Sequence, residues 1–151
     1  MQNINTYPVY NCYIIDKDPV SVSMLSNYLK SMGIFEISGV YLKIEQALHL
    51  LNGKNTIDFL FVGIDNDNLS GFDLAIKLRH SSRFIIFMSE DPEYALNAFQ
   101  SGGDQYLMKP LIFRKFSAKV DQLLAKDIQK DTFKFMLNPD GNSLRIPRLF
   151  K

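Results

Sequence analysis

Four sets of polar side chains stand where apolar runs of this 151-residue chain end. Asp16, Lys17 and Asp18 follow the run Val9 to Ile15, and Asp65 and Asp67 follow Asp58 to Ile64. Ser89 and Glu90 follow Phe84 to Met88, and Lys109 follows Gln105 to Met108. Carboxylates can hold a cation or react, a hydroxyl can orient a neighbour, and an ammonium can neutralise the charge between them. Each set also has a plainer reading. Asp65, Asn66, Asp67 and Asn68 suit a polar loop capping the next helix, Ser89 suits the cap of a helix beginning near Pro92, and Lys109 suits a static ion pair with Asp16. The question is which carboxylate, if any, is the working group.

The elements that must position these groups alternate regularly. Val9 to Ile15 reads as a buried strand. From Pro19 the residues Val20, Met24, Leu25, Tyr28, Leu29 and Met32 recur at helical spacing, with Pro suited to a first turn and Gly33 to a stop. Phe35 to Tyr41 is a second strand, and Ile44, Ala47, Leu48 and Leu51 mark a helix running up to Gly53. Asp58 to Ile64 is almost continuously apolar, as expected of a central strand covered on both faces. Phe72 to Leu78 supplies a third helix, Phe84 to Met88 a fourth strand, and Tyr94, Ala95, Ala98 and Phe99 a fourth helix ending before Gly102. Gln105 to Met108 is a short fifth strand, and Phe113, Phe116, Val120, Leu123 and Leu124 predict a last helix to about Lys130. Five strand-helix pairs imply an α/β fold with one parallel sheet covered by helices on both faces. In such a sheet, chemistry gathers at the carboxyl ends of the strands, where all four polar sets lie.

Composition narrows the classes of function. A hydrophobic fraction of 46% fits a packed globule, and 17 basic against 16 acidic residues leave a net charge of +1 with no basic block of the kind that marks a nucleic-acid surface. The single cysteine, Cys12, lies in the first strand and reads as a buried thiol, so no disulfide framework forms within the chain and a reducing, cytoplasmic setting is expected. The start MQNINTYPVY has no signal-peptide pattern, and no apolar run approaches the ~20 residues that span a bilayer. His49 and His80 lack a second metal ligand nearby in sequence and read as solvent-facing. Asp-Lys-Asp-Pro after the first strand is the wrong chemistry for a phosphate-cradling flavin loop. Neither a cofactor nor a bound metal is expected.

An acidic cluster before Pro19, Leu69-Ser70-Gly71 opening the third helix, Ser89 ending the fourth strand and Tyr106-Leu107-Met108-Lys109-Pro110 together resemble the receiver domain of bacterial two-component response regulators. Glu93 to Pro110 is similar to receivers attached to LytTR-type DNA-binding domains. The likeness covers roughly Val9 to Leu124. It implies a flavodoxin-like, doubly wound five-stranded sheet in the order 2-1-3-4-5 with five helices, and a cis peptide at Lys109-Pro110. It also implies transfer of a phosphoryl group to an aspartate with the help of magnesium, a lysine and a hydroxyl.

Carried over position by position, the resemblance places the first acid on Asp16, the hydroxyl on Ser89, the lysine on Lys109 and the switch aromatic on Tyr106. Two positions depart from it. The acceptor lies eight residues before the glycine after Leu-Ser, and counting back from Gly71 gives Gly63, which has no carboxylate. The second acid falls on Lys17, whose ammonium cannot ligate a metal. Asp16, Lys17, Gly63 and Lys109 then carry +1 where the family pocket carries −2, with Asp18 able to restore neutrality if it leans in. The expectation is a receiver-like module that works by protein contact, as the regulatory part of a transcription factor, with no enzymatic activity. Its alternative is a displaced acceptor at Asp65 or Asp67 with magnesium. The reversed charge further suggests an oxyanion near Ser89, Lys17 and Lys109, where Gly63 leaves room for close approach. By resemblance, a protein partner or a second copy meets the face between the fourth helix and fifth strand, including Tyr94, Phe99 and Tyr106.

Residues 1–130 are thus read as the receiver-like domain and 131–151 as a linker with a hairpin-like segment. Thr132 to Ile146 alternates apolar and polar residues around Asn138-Pro139-Asp140-Gly141. This resembles the opening strands of a LytTR domain, so that any DNA contact would come through an effector domain the chain lacks; no membrane partner is expected.

Overall fold

The computed structural model describes residues 9–54, 56–67 and 69–137. The strands are β1 (Tyr10–Ile15), β2 (Phe35–Tyr41), β3 (Ile57–Gly63), β4 (Ser82–Ser89) and β5 (Gln105–Met108), and the helices α1 (Pro19–Met32), α2 (Ile44–Leu51), α3 (Gly71–Leu78), α4 (Ala95–Gln100) and α5 (Phe113–Leu137). Single 3-10 turns, Arg79–Ser81 and Pro92–Tyr94, follow α3 and precede α4. All pairings are parallel and the order is β2-β1-β3-β4-β5, the doubly wound architecture expected. Strand order reverses at β1, so the carboxyl ends of β1 and β3 flank the crevice where such sheets work.

Strand alternation divides the core. Cys12, Ile14, Phe59 and Phe61 pack with Leu25 and Leu29 of α1 and Phe116, Val120 and Leu123 of α5. Their neighbours Tyr13, Ile15, Leu60 and Val62 join Ala47 of α2, Leu74 and Ala75 of α3 and Ala98 of α4 on the other face. Every residue of β3 is buried, which explains its lack of polar alternation. Fully burying aliphatic and aromatic side chains of this kind stabilises the fold by about 1.5–3 kcal/mol each before entropy is subtracted.

Local signals fix several boundaries. Asp18 caps α1 by accepting from the Val20 N–H, Pro19 opens the helix, and Gly33 ends it at φ 71°, a left-handed conformation that glycine adopts without a Cβ clash. Arg79 closes the opposite end of the molecule. Its guanidinium donates to the carbonyls of Gly102, Ser82 and Arg83 and to Asp104, while the same Asp104 oxygen accepts the Ile85 N–H. This knot joins the end of α3 to β4 and the α4–β5 turn. The buried Cys12 thiol is pushed up to about 12 by burial and the nearby negative charges of Asp58 and Glu36, so it stays protonated at neutral pH.

The far end differs from expectation. Helix α5 runs to Leu137 rather than stopping near Lys130, so the first arm of the hairpin expected from Thr132 is helical. Phe133, Met136 and Leu137 are spaced i, i+3, i+4, and extending an existing helix needs no new nucleus. The turn at 138–141 and the second arm lie outside the described residues. The Lys109-Pro110 peptide is cis.

Candidate functional site

The polar sets of the sequence meet at the carboxyl end of the sheet, as two lysine-carboxylate pairs rather than one cluster. Asp16 follows β1 and Lys109 follows β5. Lys109 Nζ lies 2.7 Å from Asp16 Oδ2, with side chains 10% and 4% exposed. The approach is an ion pair whose direction is poor for a hydrogen bond. Asp16 Oδ1 accepts the Asp18 N–H at 3.0 Å, which orients the carboxylate.

Gly63 ends β3 beside this pair, and the space in front of it is full. A Cβ built on Gly63 would stand 2.7 Å from Asp16 Oδ1 and closer still to Oδ2 and Cγ. The Asp16 carboxylate therefore lies where a side chain of residue 63 would go. The room that sequence reasoning assigned to an approaching oxyanion is occupied by this chain's own anion.

Lys17 is elsewhere. Its ammonium lies 3.2 Å from Asp65 and 4.0 Å from Asp67, with the lysine and Asp65 nearly half exposed. The expected trio of Ser89, Lys17 and Lys109 is not assembled, because Lys17 meets a nearer carboxylate on the β3–α3 loop. Asp18 faces α1, where the Ser21 hydroxyl donates to it at 2.8 Å. That hydrogen bond, then the Val20 N–H and the Lys109 charge, hold its carboxyl below the ordinary range despite some desolvation. A shallow cleft of about 340 Å³ opens between the loops, lined by Asp18, Asp65, Asp67, Glu90, Asp91 and Lys109 among others. Five acids against one lysine, itself paired, correct the positive charge expected of this site. An anion has no electrostatic reason to enter.

Two capping expectations are also corrected. Asp65 Oδ1 accepts the Asp67 N–H in a local turn, while Ser70 holds the cap position of α3. Ser89 is 1% exposed and accepts the Asp91 N–H at 3.1 Å, whereas Asp91 caps the following 3-10 turn through the Glu93 N–H. Asp91 was the missed cap, although Asp before Pro92 is the same signal as Asp18 before Pro19.

The aromatic residues separate into inward and outward members. The Tyr106 hydroxyl donates to the Asp91 carbonyl and the Tyr94 hydroxyl to Asn66. Burial raises the Tyr106 phenol above its ordinary value, a hydrogen bond with Ser89 opposes this, and Asp91 and Tyr94 add to the rise. The Tyr94 ring packs at 6.2 Å from Phe72, which packs at 5.4 Å from Phe87. Phe99 of α4 is 51% exposed, Leu96 of the same helix 67% and Met108 of β5 42%. These residues give the α4 and β5 surface an apolar character. Among the described residues, no group of three or more His, Cys, Asp or Glu is arranged to hold a metal ion, and no helix is long and apolar enough to cross a membrane.

Comparison with known proteins agrees with this architecture. A family model described as the response regulator receiver domain matches residues 12–121. The sensory transduction protein LytT of Enterococcus faecalis is 30% identical over 116 residues, covering 72% of this chain and 46% of that protein. The transcriptional regulatory protein MalR of Bacillus subtilis is 24% identical over 120 residues, covering 77% and 51%. The chain spans about half the length of these curated relatives. Among solved structures, a two-component response regulator from Clostridium difficile is 32% identical with a TM-score of 0.64, covering 77% of this chain and 96% of the other. The response regulatory domain of mrkE from Klebsiella pneumoniae, 24% identical, superposes with a TM-score of 0.68 over the same shares.

Proposed function

Because the chain belongs to the response regulator receiver family, we propose that it is a receiver-like regulatory module that signals by protein contact without conventional aspartyl phosphorylation. The observation carrying this reading is Gly63. The position where the resemblance places the acceptor has no carboxylate, and the space before it holds Asp16, bound to Lys109. Phosphoryl transfer depends on metal-assisted positioning, and ~1 Å of misplacement can cost a hundredfold. Asp65 is a poor substitute, since its carboxylate already meets Lys17 and the Asp67 amide on the loop beyond the strand. The module does no chemistry of its own. Relatives named as transcriptional regulators support a role within a transcription factor, with DNA contact supplied by an effector domain.

The partner face is the α4 and β5 surface, where Phe99 projects and Tyr94 and Tyr106 are held by hydroxyl contacts. A protein partner or a second copy meets the apolar surface of Leu96, Phe99 and Met108. A similar fold, CheY6, was solved in complex with the P1 domain of CheA3, which supports protein contact as the mode of action.

The test is incubation with acetyl phosphate and magnesium followed by intact-mass measurement. The wild-type chain should gain no stoichiometric acyl phosphate. The Gly63→Asp/Lys17→Asp variant, which restores both departures, should gain it. Wild-type phosphate that disappears in Asp65→Ala or in Asp67→Ala would overturn the reading in favour of a displaced acceptor.

A further inference from the structure

Lys109, Ser89, Asp91 and Tyr106 form a closed circuit. Lys109 N–H donates to the Ser89 carbonyl at 2.7 Å, the Ser89 hydroxyl accepts the Asp91 N–H, and the Asp91 carbonyl accepts the Tyr106 hydroxyl. Tyr106 of β5 lies three residues before Lys109, which directly follows that strand, and this closes the ring. The Lys109 ammonium is the point where this circuit meets the buried Asp16 carboxylate of β1. Nearby, the Tyr28 hydroxyl of α1 donates to the Leu111 carbonyl at 2.9 Å, so the turn after β5 is pinned from a second side.

We propose that Asp16 is a positioning residue that takes the place of the carboxylate missing at residue 63, permanently neutralising Lys109 and so holding the β4–α4 turn and Tyr106 in their inward arrangement. The inference deepens the reading of a module without an acceptor and rests on it. Three observations carry it. The Asp16 carboxylate fills the space of a side chain at 63. Both partners are nearly removed from water, where an unpaired charge is strongly disfavoured, so the pair stays closed. The pair joins the end of β1 to the end of β5, the strand whose Tyr106 donates to the Asp91 carbonyl of the β4–α4 turn.

The test moves the carboxylate from one strand to the other. Asp16→Ala removes it, and Asp16→Ala/Gly63→Asp returns it from β3. Gly63 has no positive φ, so an L side chain fits its backbone, and the three atoms nearest its Cβ position all belong to the deleted carboxyl group. Residue-resolved amide exchange on the whole labelled chain, without any phosphodonor, reads the result. In Asp16→Ala the Asp91 and Lys109 amides should exchange at least about tenfold faster, and in the double variant they should return to within about threefold of wild type. The Asp18 amide loses its Oδ1 acceptor in both variants and should stay fast in both, which separates restored charge from restored packing. Unchanged Asp91 and Lys109 rates in Asp16→Ala, or a double variant no slower than the single one, would overturn the proposal. If Asp16→Ala does not fold, the double variant decides alone: folding with wild-type rates supports the proposal, and failure to fold or fast exchange overturns it. Since no phosphodonor is present, this experiment and the acetyl phosphate assay can fail independently.

Discussion

Lys109–Asp16 and Lys17–Asp65 use the same two chemical groups at the same end of one sheet, and their surroundings give them opposite roles. The first pair is 10% and 4% exposed, the second 46% and 45%. An exposed pair contributes from nothing to about 1 kcal/mol because water and salt solvate both charges. A buried pair adds little net stability over an apolar replacement, yet losing one partner costs about 3–5 kcal/mol because the other charge is left in a poor solvent. The lesson is that position along the chain says little about weight. Asp16 and Lys17 are adjacent, and only one of them is held by the fold.

The sharpest way to break this contrast is Lys109→Ala. It should destabilise the chain by about 3–5 kcal/mol in urea unfolding, whereas Asp16→Leu/Lys109→Met should cost much less than its two single changes combined. A double-variant cost equal to the sum of the two single costs would mean that the pair is not closed.

Next in size is Gly63→Ala. Its methyl group enters space held by the Asp16 carboxyl, so an overpacking cost of about 1–3 kcal/mol is expected in the same assay. Asp16→Ala/Gly63→Ala should relieve the steric part, leaving the cost of an unpaired Lys109.

Asp18 is an intermediate case, partly exposed and held by local hydrogen bonds. Asp18→Ala should cost about 1 kcal/mol through loss of the cap on α1. Because the folded carboxyl titrates below its ordinary value of 3.8, its contribution is complete above that pH and fades as pH falls through the folded value. Between pH 5 and pH 3, wild-type stability should therefore fall more steeply than that of Asp18→Asn. Smallest of all is Lys17→Ala, expected to change unfolding stability by less than about 0.5 kcal/mol. A larger loss would place Lys17 beside Lys109 in weight and remove the contrast.

How far the sequence could be read follows from the range of the forces involved. Helix α1 was legible to both ends because Pro19 and Gly33 act within one turn, and β3 because burial on both faces leaves an unbroken apolar run. The match of Lys109 with Asp16 was also foreseeable from strand order. The filling of the space before Gly63 was not, since a glycine reads as room until the neighbouring side chain is seen to enter it. Lys17 was misplaced for a related reason: the loop carrying Asp65 curls back within its reach. The Arg79 knot joins groups up to 25 residues apart and leaves no local pattern. The hairpin expectation failed at Thr132 to Leu137 because an alternating hexamer satisfies helical spacing equally well once a helix already leads into it.

That leading helix has a mechanical consequence. Asp127 of α5 is tied to Arg83 of β4 by a 2.6 Å ion pair, and ten further helical residues follow, Ile128 to Leu137. At 1.5 Å per residue this is a lever about 15 Å long, so a tilt of ~10° at the tie displaces its tip by ~2.6 Å. Rotations too small to repack the core thus become translations of atomic size at Leu137.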